Sequence, residues 1–63
     1  MQNNQYKNEY MYRIIRYIEE HLSDVVDVKE LTRIGGVSHA QLYRDFYNLT
    51  GHSVKEYIRK RRL

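Results

Sequence analysis

The sequence predicts an all-α domain, a small bundle of helices, on the strength of two observations. The 63-residue chain has no proline, and its apolar residues recur at steps of three and four along most of its length. Two of its three glycines, Gly35 and Gly36, stand side by side between two segments with this helical spacing. Because glycine adopts backbone conformations that other residues avoid, the pair predicts a tight turn between two short helices.

Length and composition narrow the class of protein. A chain of about 60 residues forms one domain that buries only about 60% of its unfolded surface, so we expect modest stability. The absence of cysteine excludes disulfides and thiolate metal sites. No apolar run approaches the roughly 18 residues that a membrane helix needs, and the polar start is unlike a signal peptide. We therefore expect a soluble cytoplasmic protein that does not enter membranes.

The first predicted helix begins near Tyr10. Residues 1–9 have no apolar periodicity and are expected to be disordered, which leaves residues 10–63 as the folded domain. The following apolar residues form one stripe of a helix: Met11, Ile14, Ile15, Ile18 and Leu22. The polar and β-branched residues 23–26 are expected to end this helix.

Capping patterns mark the starts of the second and third helices. Asp27 is followed three residues later by Glu30, and Ser38 by Gln41, which is the spacing of a capping box. In the second helix, Leu31 and Ile34 are expected to face inward. One glycine of the pair must take the positive φ that ends this helix, and we expect it to be Gly35.

The third predicted helix runs from Ser38 to about Thr50. Its apolar stripe consists of Leu42, Phe46 and Leu49. Gly51 is the expected terminator, and Ser53 is the expected cap of a fourth helix. The fourth helix has no stop signal before Leu63.

The second and third helices, with the turn between them, have the layout of a helix-turn-helix. Gly36 occupies the turn, and Val37 fills the gap between the two helices. Thr32 lies where the helices cross and where alanine is usual, so its hydroxyl must bond a nearby carbonyl or the crossing must open. The predicted fold is a homeodomain-like helix-turn-helix bundle of three helices plus the start of a linker helix.

The positive charge is concentrated at one end of the chain. Residues 1–54 carry six Lys/Arg and seven Asp/Glu, whereas residues 55–63 carry five basic residues and one acid. Basic clusters of this kind bind phosphate or acidic membranes, and they also occur as solvated tails. Charge alone therefore does not decide between a binding role and a solvated tail.

The C-terminal half of the chain has a characteristic spacing of polar, apolar and glycine residues. Its members are Ser38, Leu42, Arg44, Phe46, Thr50, Gly51, Ser53, Tyr57, Ile58, Arg61 and Leu63. This spacing resembles the first helix-turn-helix of the AraC/XylS family of bacterial transcription regulators. The resemblance extends back through the segments YIEEHL and DVKEL to about Tyr10.

The resemblance implies sequence-specific binding of double-stranded DNA for transcription regulation. The DNA-binding domain of the family has two helix-turn-helix halves joined by a linker helix, and this chain matches the first half and the start of the linker. A second half is expected but absent from this sequence. A single half is expected to bind DNA weakly.

The third helix is the expected reading element. A helix in the major groove keeps one face for its own core and offers the other to base edges. At about 100° per residue, the face opposite the apolar stripe holds four candidate base contacts, which are Ala40, Tyr43, Arg44 and Tyr47. Arg44 is the strongest candidate, because a guanidinium can bind guanine through two hydrogen bonds. The alternatives are a salt bridge for Arg44 and plain surface positions for the others.

Five residues are candidate contacts to DNA phosphates: Ser38, His39, Ser53, Arg59 and Arg61. The two serines open helices, whose unpaired amides attract phosphate, and this role is compatible with capping. His39 lies beside the first of these caps. The two arginines belong to the basic C-terminal run.

No residue pattern supports catalysis, so we expect a protein that is not an enzyme and needs no cofactor. His21, His39 and His52 lack the spacing of a metal site. No nucleophile is paired with a base, and no glycine-rich phosphate cradle is present.

Two other functions remain open. A helix-turn-helix can act as a protein-interaction module that contacts RNA polymerase or a partner domain, and the tyrosines of the third helix would suit such an interface. Arg44 and the basic C-terminal run favour DNA instead. A membrane-surface helix at residues 54–63 ranks last, because its apolar face is small.

Overall fold

Four helices make up the part of the chain that the structure describes. In this computed structural model the backbone is described for residues 3–62 and the side chains for residues 9–62. The helices are α1 (Asn3–Glu20), α2 (Val28–Gly35), α3 (His39–Thr50) and α4 (Val54–Arg62). Residues 3–62 contain no strand, which confirms the predicted all-α class. None of these helices combines the length and the apolar character needed to cross a bilayer.

The start of α1 differs from the expected one. The first helix was expected to begin near Tyr10, after a disordered segment at residues 1–9, and the structure has the start of α1 at Asn3. Once a helix has formed, each added residue gains a backbone hydrogen bond, so a polar segment can extend it without an apolar stripe of its own. Met1 and Gln2, which the same expectation covered, lie outside the described residues, as does Leu63 at the other end.

One hydrophobic core joins all four helices. Its buried side chains are Met11, Ile14 and Ile18 from α1, Leu31 from α2, Leu42 and Phe46 from α3, and Val54 and Ile58 from α4. Burying a large apolar side chain stabilises a fold by about 1.5–3 kcal/mol, so these contacts are the main support of so small a domain. The Phe46 and Tyr57 rings meet edge to face at 5.3 Å and tie α3 to α4.

The predicted apolar stripe of α3 is wrong at one position. Leu42 and Phe46 are fully buried, but Leu49 is 42% exposed and is not part of the core cluster. Leu49 has the correct helical spacing, yet it belongs to the last turn of α3, beyond the last core contact of that helix at Phe46. Spacing identifies a helix face, whereas burial also requires a neighbour to cover it.

The two adjacent glycines have different roles, and the expected assignment of the positive φ to Gly35 is wrong. Gly36 has φ +67° and its N–H donates to the Thr32 carbonyl, so it is the residue that ends α2. Gly35 is the last helical residue. A Cβ at Gly35 would lie 2.7 Å from Cδ1 of Tyr10 and 3.1 Å from Cδ1 of Ile14. The absence of a side chain there lets α2 approach α1 closely.

Side chains cap three helices as predicted. Asp27 Oδ1 accepts from the Lys29 N–H at 3.0 Å. Ser38 Oγ accepts from the Gln41 N–H, and Ser53 Oγ from the N–H three residues later, both at 3.1 Å. These bonds satisfy amides that helix starts leave unpaired.

The predicted capping boxes are only partly formed, because the third-position side chains bind elsewhere. The Glu30 carboxylate accepts two hydrogen bonds from Arg33. The Gln41 side chain binds within α3 to Arg44 and Asp45. Thr32 behaves as expected, since its hydroxyl donates to the Lys29 carbonyl at 2.7 Å.

A polar clamp holds α4 against α1. Arg61 donates from Nε and Nη2 to the two carboxylate oxygens of Glu19 at 2.8 and 2.7 Å. The Tyr57 hydroxyl donates to the same carboxylate at 2.8 Å. The bonds from Arg61 and then from Tyr57 lower the pKa of Glu19 to about 2. Arg62 donates to the carbonyls of Leu22 and Asp24, just after α1, where a cation also suits the helix dipole.

Candidate nucleic-acid interface

One face of α3 is exposed along its whole length. The four predicted base contacts Ala40, Tyr43, Arg44 and Tyr47 are all exposed and follow each other at steps of three, one and three. Tyr43 is 48% and Tyr47 60% exposed, whereas Leu42 and Phe46 on the other face are fully buried. The structure therefore places all four candidates on one surface, which we call the α3 face.

Arg44 is held in place by a neighbour on the same helix. Its Nη2 donates to Oε1 of Gln41 at 2.9 Å, while the residue stays exposed. Gln41 Nε2 donates in turn to Oδ2 of Asp45 at 2.8 Å, and the Tyr10 hydroxyl donates to the same oxygen at 2.6 Å. Burial, and then the hydrogen bond to Asp45, raise the pKa of Tyr10. Within residues 9–62 Arg44 makes no ion pair, and its hydrogen-bond partner there is a neutral amide.

The predicted phosphate contacts at helix starts are exposed. Ser38 and Ser53 both lie at the surface and both cap a helix, so each places a helix N-terminus in solvent. His39 is exposed and its ring meets that of Tyr43 edge to face at 6.0 Å. The contact joins the start of α3 to the α3 face.

The two predicted phosphate contacts of the basic run differ in their surroundings. Arg61 is bound to Glu19 through two hydrogen bonds, although its side chain is 52% exposed. Arg59 is exposed, and within residues 9–62 it makes no ion pair. It lines a groove of about 510 Å³ between the turn after α1 and α4. Of the two, Arg59 has the guanidinium that is available to a phosphate.

Lys55 is a basic residue that was not among the predicted contacts. It lines a second groove, of about 410 Å³, which we call the tyrosine groove and which is formed by Val28, Tyr43, Tyr47, Ser53, Val54 and Lys55. Lys55 also lines the groove that contains Arg59. Its position two residues after the Ser53 cap was a signal that could have revealed it, because a lysine beside an exposed helix N-terminus strengthens an anion site.

The His52–Glu56 pair and the question of a metal site complete the description of this surface. The His52 ring nitrogen Nδ1 lies 3.5 Å from the Glu56 carboxylate, one turn along the start of α4. Among the residues that the structure describes, no group of three or more His, Asp or Glu side chains is placed to hold a metal ion. The surface as a whole offers hydrogen-bond donors, aromatic rings and cations.

Comparisons of the chain with protein-family models, with curated proteins and with solved structures found no match.

Proposed function

We propose that this chain binds double-stranded DNA with α3 in the major groove, as the first half of an AraC-type DNA-binding domain of a bacterial transcription regulator. The observation that carries the proposal is the α3 face, where Ala40, Tyr43, Arg44 and Tyr47 are exposed together while the opposite face of the helix is buried. The motif residues of the sequence support the family. A regulator of this kind acts in the cytoplasm, where bacterial DNA lies.

Each part of the surface has a distinct role in this proposal. Arg44 reads a guanine, and Ala40 is small enough to approach a thymine methyl group. Tyr43 and Tyr47 reach sugar and phosphate groups at the edges of the groove. The start of α4, with Ser53 and Lys55, binds the DNA backbone through its amides and the ammonium group.

The proposed complex is weak, because one half of a two-half domain makes few phosphate contacts. Nonspecific DNA complexes near physiological salt have dissociation constants of about 10⁻⁴–10⁻⁶ M. Binding is therefore expected to be measurable at low salt and to fall as salt increases, since each neutralised phosphate releases counterions.

A protein-interaction module is the second candidate function. The observation that favours it is the tyrosine groove, where Val28, Val54 and two exposed tyrosines provide an apolar surface. RNA polymerase or a partner domain would be the bound protein. This function predicts that removing the tyrosine rings abolishes binding, whereas removing Arg44 has little effect.

Selection from a random duplex pool at low salt, followed by fluorescence anisotropy on a selected duplex and a scrambled duplex, tests the proposal. The Arg44→Ala variant is expected to reduce discrimination between the two duplexes by about 1–3 kcal/mol, the worth of one bidentate guanine contact. Arg16→Ala is the matched control, because it removes an exposed arginine that belongs to α1 and not to the α3 face. Unchanged discrimination in Arg44→Ala would remove the reading role and favour the protein-interaction module.

A further inference from the structure

A series of side-chain hydrogen bonds links α1 to the exposed side chain of Arg44. The connection runs from the Tyr10 hydroxyl to Asp45 at 2.6 Å, from Gln41 to Asp45 at 2.8 Å and from Arg44 to Gln41 at 2.9 Å. We infer that Gln41 and Asp45 are positioning residues that orient the Arg44 guanidinium for reading a base. This inference rests on the proposed function, because it assigns specificity within the α3 face.

The direction of each hydrogen bond follows from the chemistry of Asp45. An ionised carboxylate can only accept hydrogen bonds, so Gln41 must turn its NH₂ group toward Asp45. That orientation leaves the Gln41 carbonyl oxygen facing Arg44, which can only donate. A change at Asp45 can therefore reach Arg44 through the orientation of a single amide.

Tyr10 fixes the other end of the connection. It lies on α1, 35 residues before Asp45 in the sequence, and is half-buried beside the core. Its hydroxyl and the Gln41 amide bind the same carboxylate oxygen. The position of Asp45 is thus set by helix packing as well as by α3 itself.

An Arg44 side chain that is ordered before DNA binds favours base recognition in two ways. A long side chain that is already ordered loses less conformational entropy when it binds. The bond to Gln41 uses one of the five N–H donors of the guanidinium, and the others remain for the two acceptors of a guanine.

The first test needs no DNA. In ¹⁵N NMR spectra, the heteronuclear NOE of Arg44 Nε–H is expected to exceed that of Arg59, which makes no ion pair within residues 9–62. Gln41→Met removes both amide bonds and keeps a good helix former, and it is expected to lower the Arg44 value to that of Arg59. Asp45→Ala is expected to act in the same direction. An Arg44 signal that stays unchanged in both variants would overturn the inference.

The second test is a double-mutant cycle on DNA discrimination. Gln41→Met is expected to reduce the preference for the selected duplex by about 2- to 12-fold, which corresponds to ordering one rotamer-rich side chain. Because neither glutamine nor methionine is charged, the salt dependence of DNA binding should stay the same. In an Arg44→Ala background the same substitution is expected to have no further effect, since Gln41 acts through Arg44. An equal loss in both backgrounds would mean that Gln41 touches DNA itself, and the positioning role would be wrong.

The remaining outcomes separate this inference from the proposed function. If Arg44→Ala abolishes the preference but Gln41→Met leaves it intact, the positioning role is wrong and the proposed function stands. If the wild-type chain prefers no duplex, the proposed function and the positioning role fall together.

Discussion

The backbone at Gly36 has φ +67°, whereas its neighbour Gly35 remains helical and packs against Tyr10. At the residue scale, the two glycines are therefore needed for different physical reasons. A side chain at Gly36 would have space around it but a strained backbone, and a side chain at Gly35 would have a relaxed backbone but no space. Substitutions by alanine separate the two effects.

Gly36→Ala is expected to lower the free energy of unfolding by about 1–2 kcal/mol, the cost of a left-handed backbone in a residue with a Cβ. Gly36→Asn should cost less, because asparagine tolerates this conformation better than alanine does. Urea denaturation followed by circular dichroism measures both. Equal stability of wild type and Gly36→Ala would show that the turn can change its conformation without cost.

Gly35→Ala is expected to destabilise the domain by about 1–3 kcal/mol, the usual cost of adding atoms to a packed site. The new Cβ would meet the Tyr10 ring at 2.7 Å and must displace it. In a Tyr10→Ala background the same substitution should cost less, because the clashing ring is gone and only the contact with Cδ1 of Ile14 at 3.1 Å remains. A cost that persists in that background would place the strain somewhere other than at Tyr10.

At the scale of the element, α3 has one face for the core and one for solvent, and single truncations can map them. Phe46→Ala is expected to cost about 3–5 kcal/mol and Leu42→Ala about 2–5 kcal/mol, since both side chains are fully buried. Leu49→Ala on the same helix is the matched control and should cost less, because Leu49 is 42% exposed. Thermal melting of the three variants measures the order of these stability losses. A Leu49→Ala variant as unstable as Leu42→Ala would contradict the assigned faces.

The clamp between α1 and α4 predicts a pH dependence of stability. The pKa of Glu19 is lowered from 4.5 to about 2, so the carboxylate contributes stability that is fully present above pH 4.5. This contribution is expected to be lost as the pH falls from 4.5 toward 2. Glu19→Gln should remove this part of the acid dependence, as measured by urea denaturation at a series of pH values.

The control for the acid dependence is Glu20→Gln, which makes the same change at the next residue. Glu20 is exposed and pairs with Arg16 on its own helix at 3.6 Å, so it does not join α1 to α4. This variant should keep the wild-type loss of stability in acid. If the Glu19→Gln variant and the wild type lost stability in parallel as the pH falls, the clamp would not be the source of the acid dependence.

At the scale of the whole molecule, the distribution of available cations decides how the chain would hold DNA. Lys55→Ala is expected to weaken binding to all duplexes alike and to reduce the slope of log K against log salt by about one. Arg61→Ala should leave that slope nearly unchanged, because its guanidinium is bound to Glu19. Anisotropy titrations at several salt concentrations measure both slopes. A loss of slope in Arg61→Ala alone would reverse the two assignments.

Features that depend on residues three or four positions apart could be predicted without the structure. The caps at Asp27, Ser38 and Ser53 are confirmed, because a cap needs only a side chain and an amide of the same turn. The exposed α3 face was also predicted correctly, since helical periodicity alone places Leu42 and Phe46 opposite to it.

Features that join distant parts of the chain could not be predicted from local patterns. Arg61 meets Glu19 across 42 residues, and Tyr10 meets Asp45 across 35, so no local pattern could reveal either pair. Gly35 likewise packs against Tyr10 of α1, and the positive φ lies at Gly36. Backbone hydrogen bonds and caps act within one helical turn, whereas burial, close packing and ion pairs between helices depend on which surfaces meet when the helices pack.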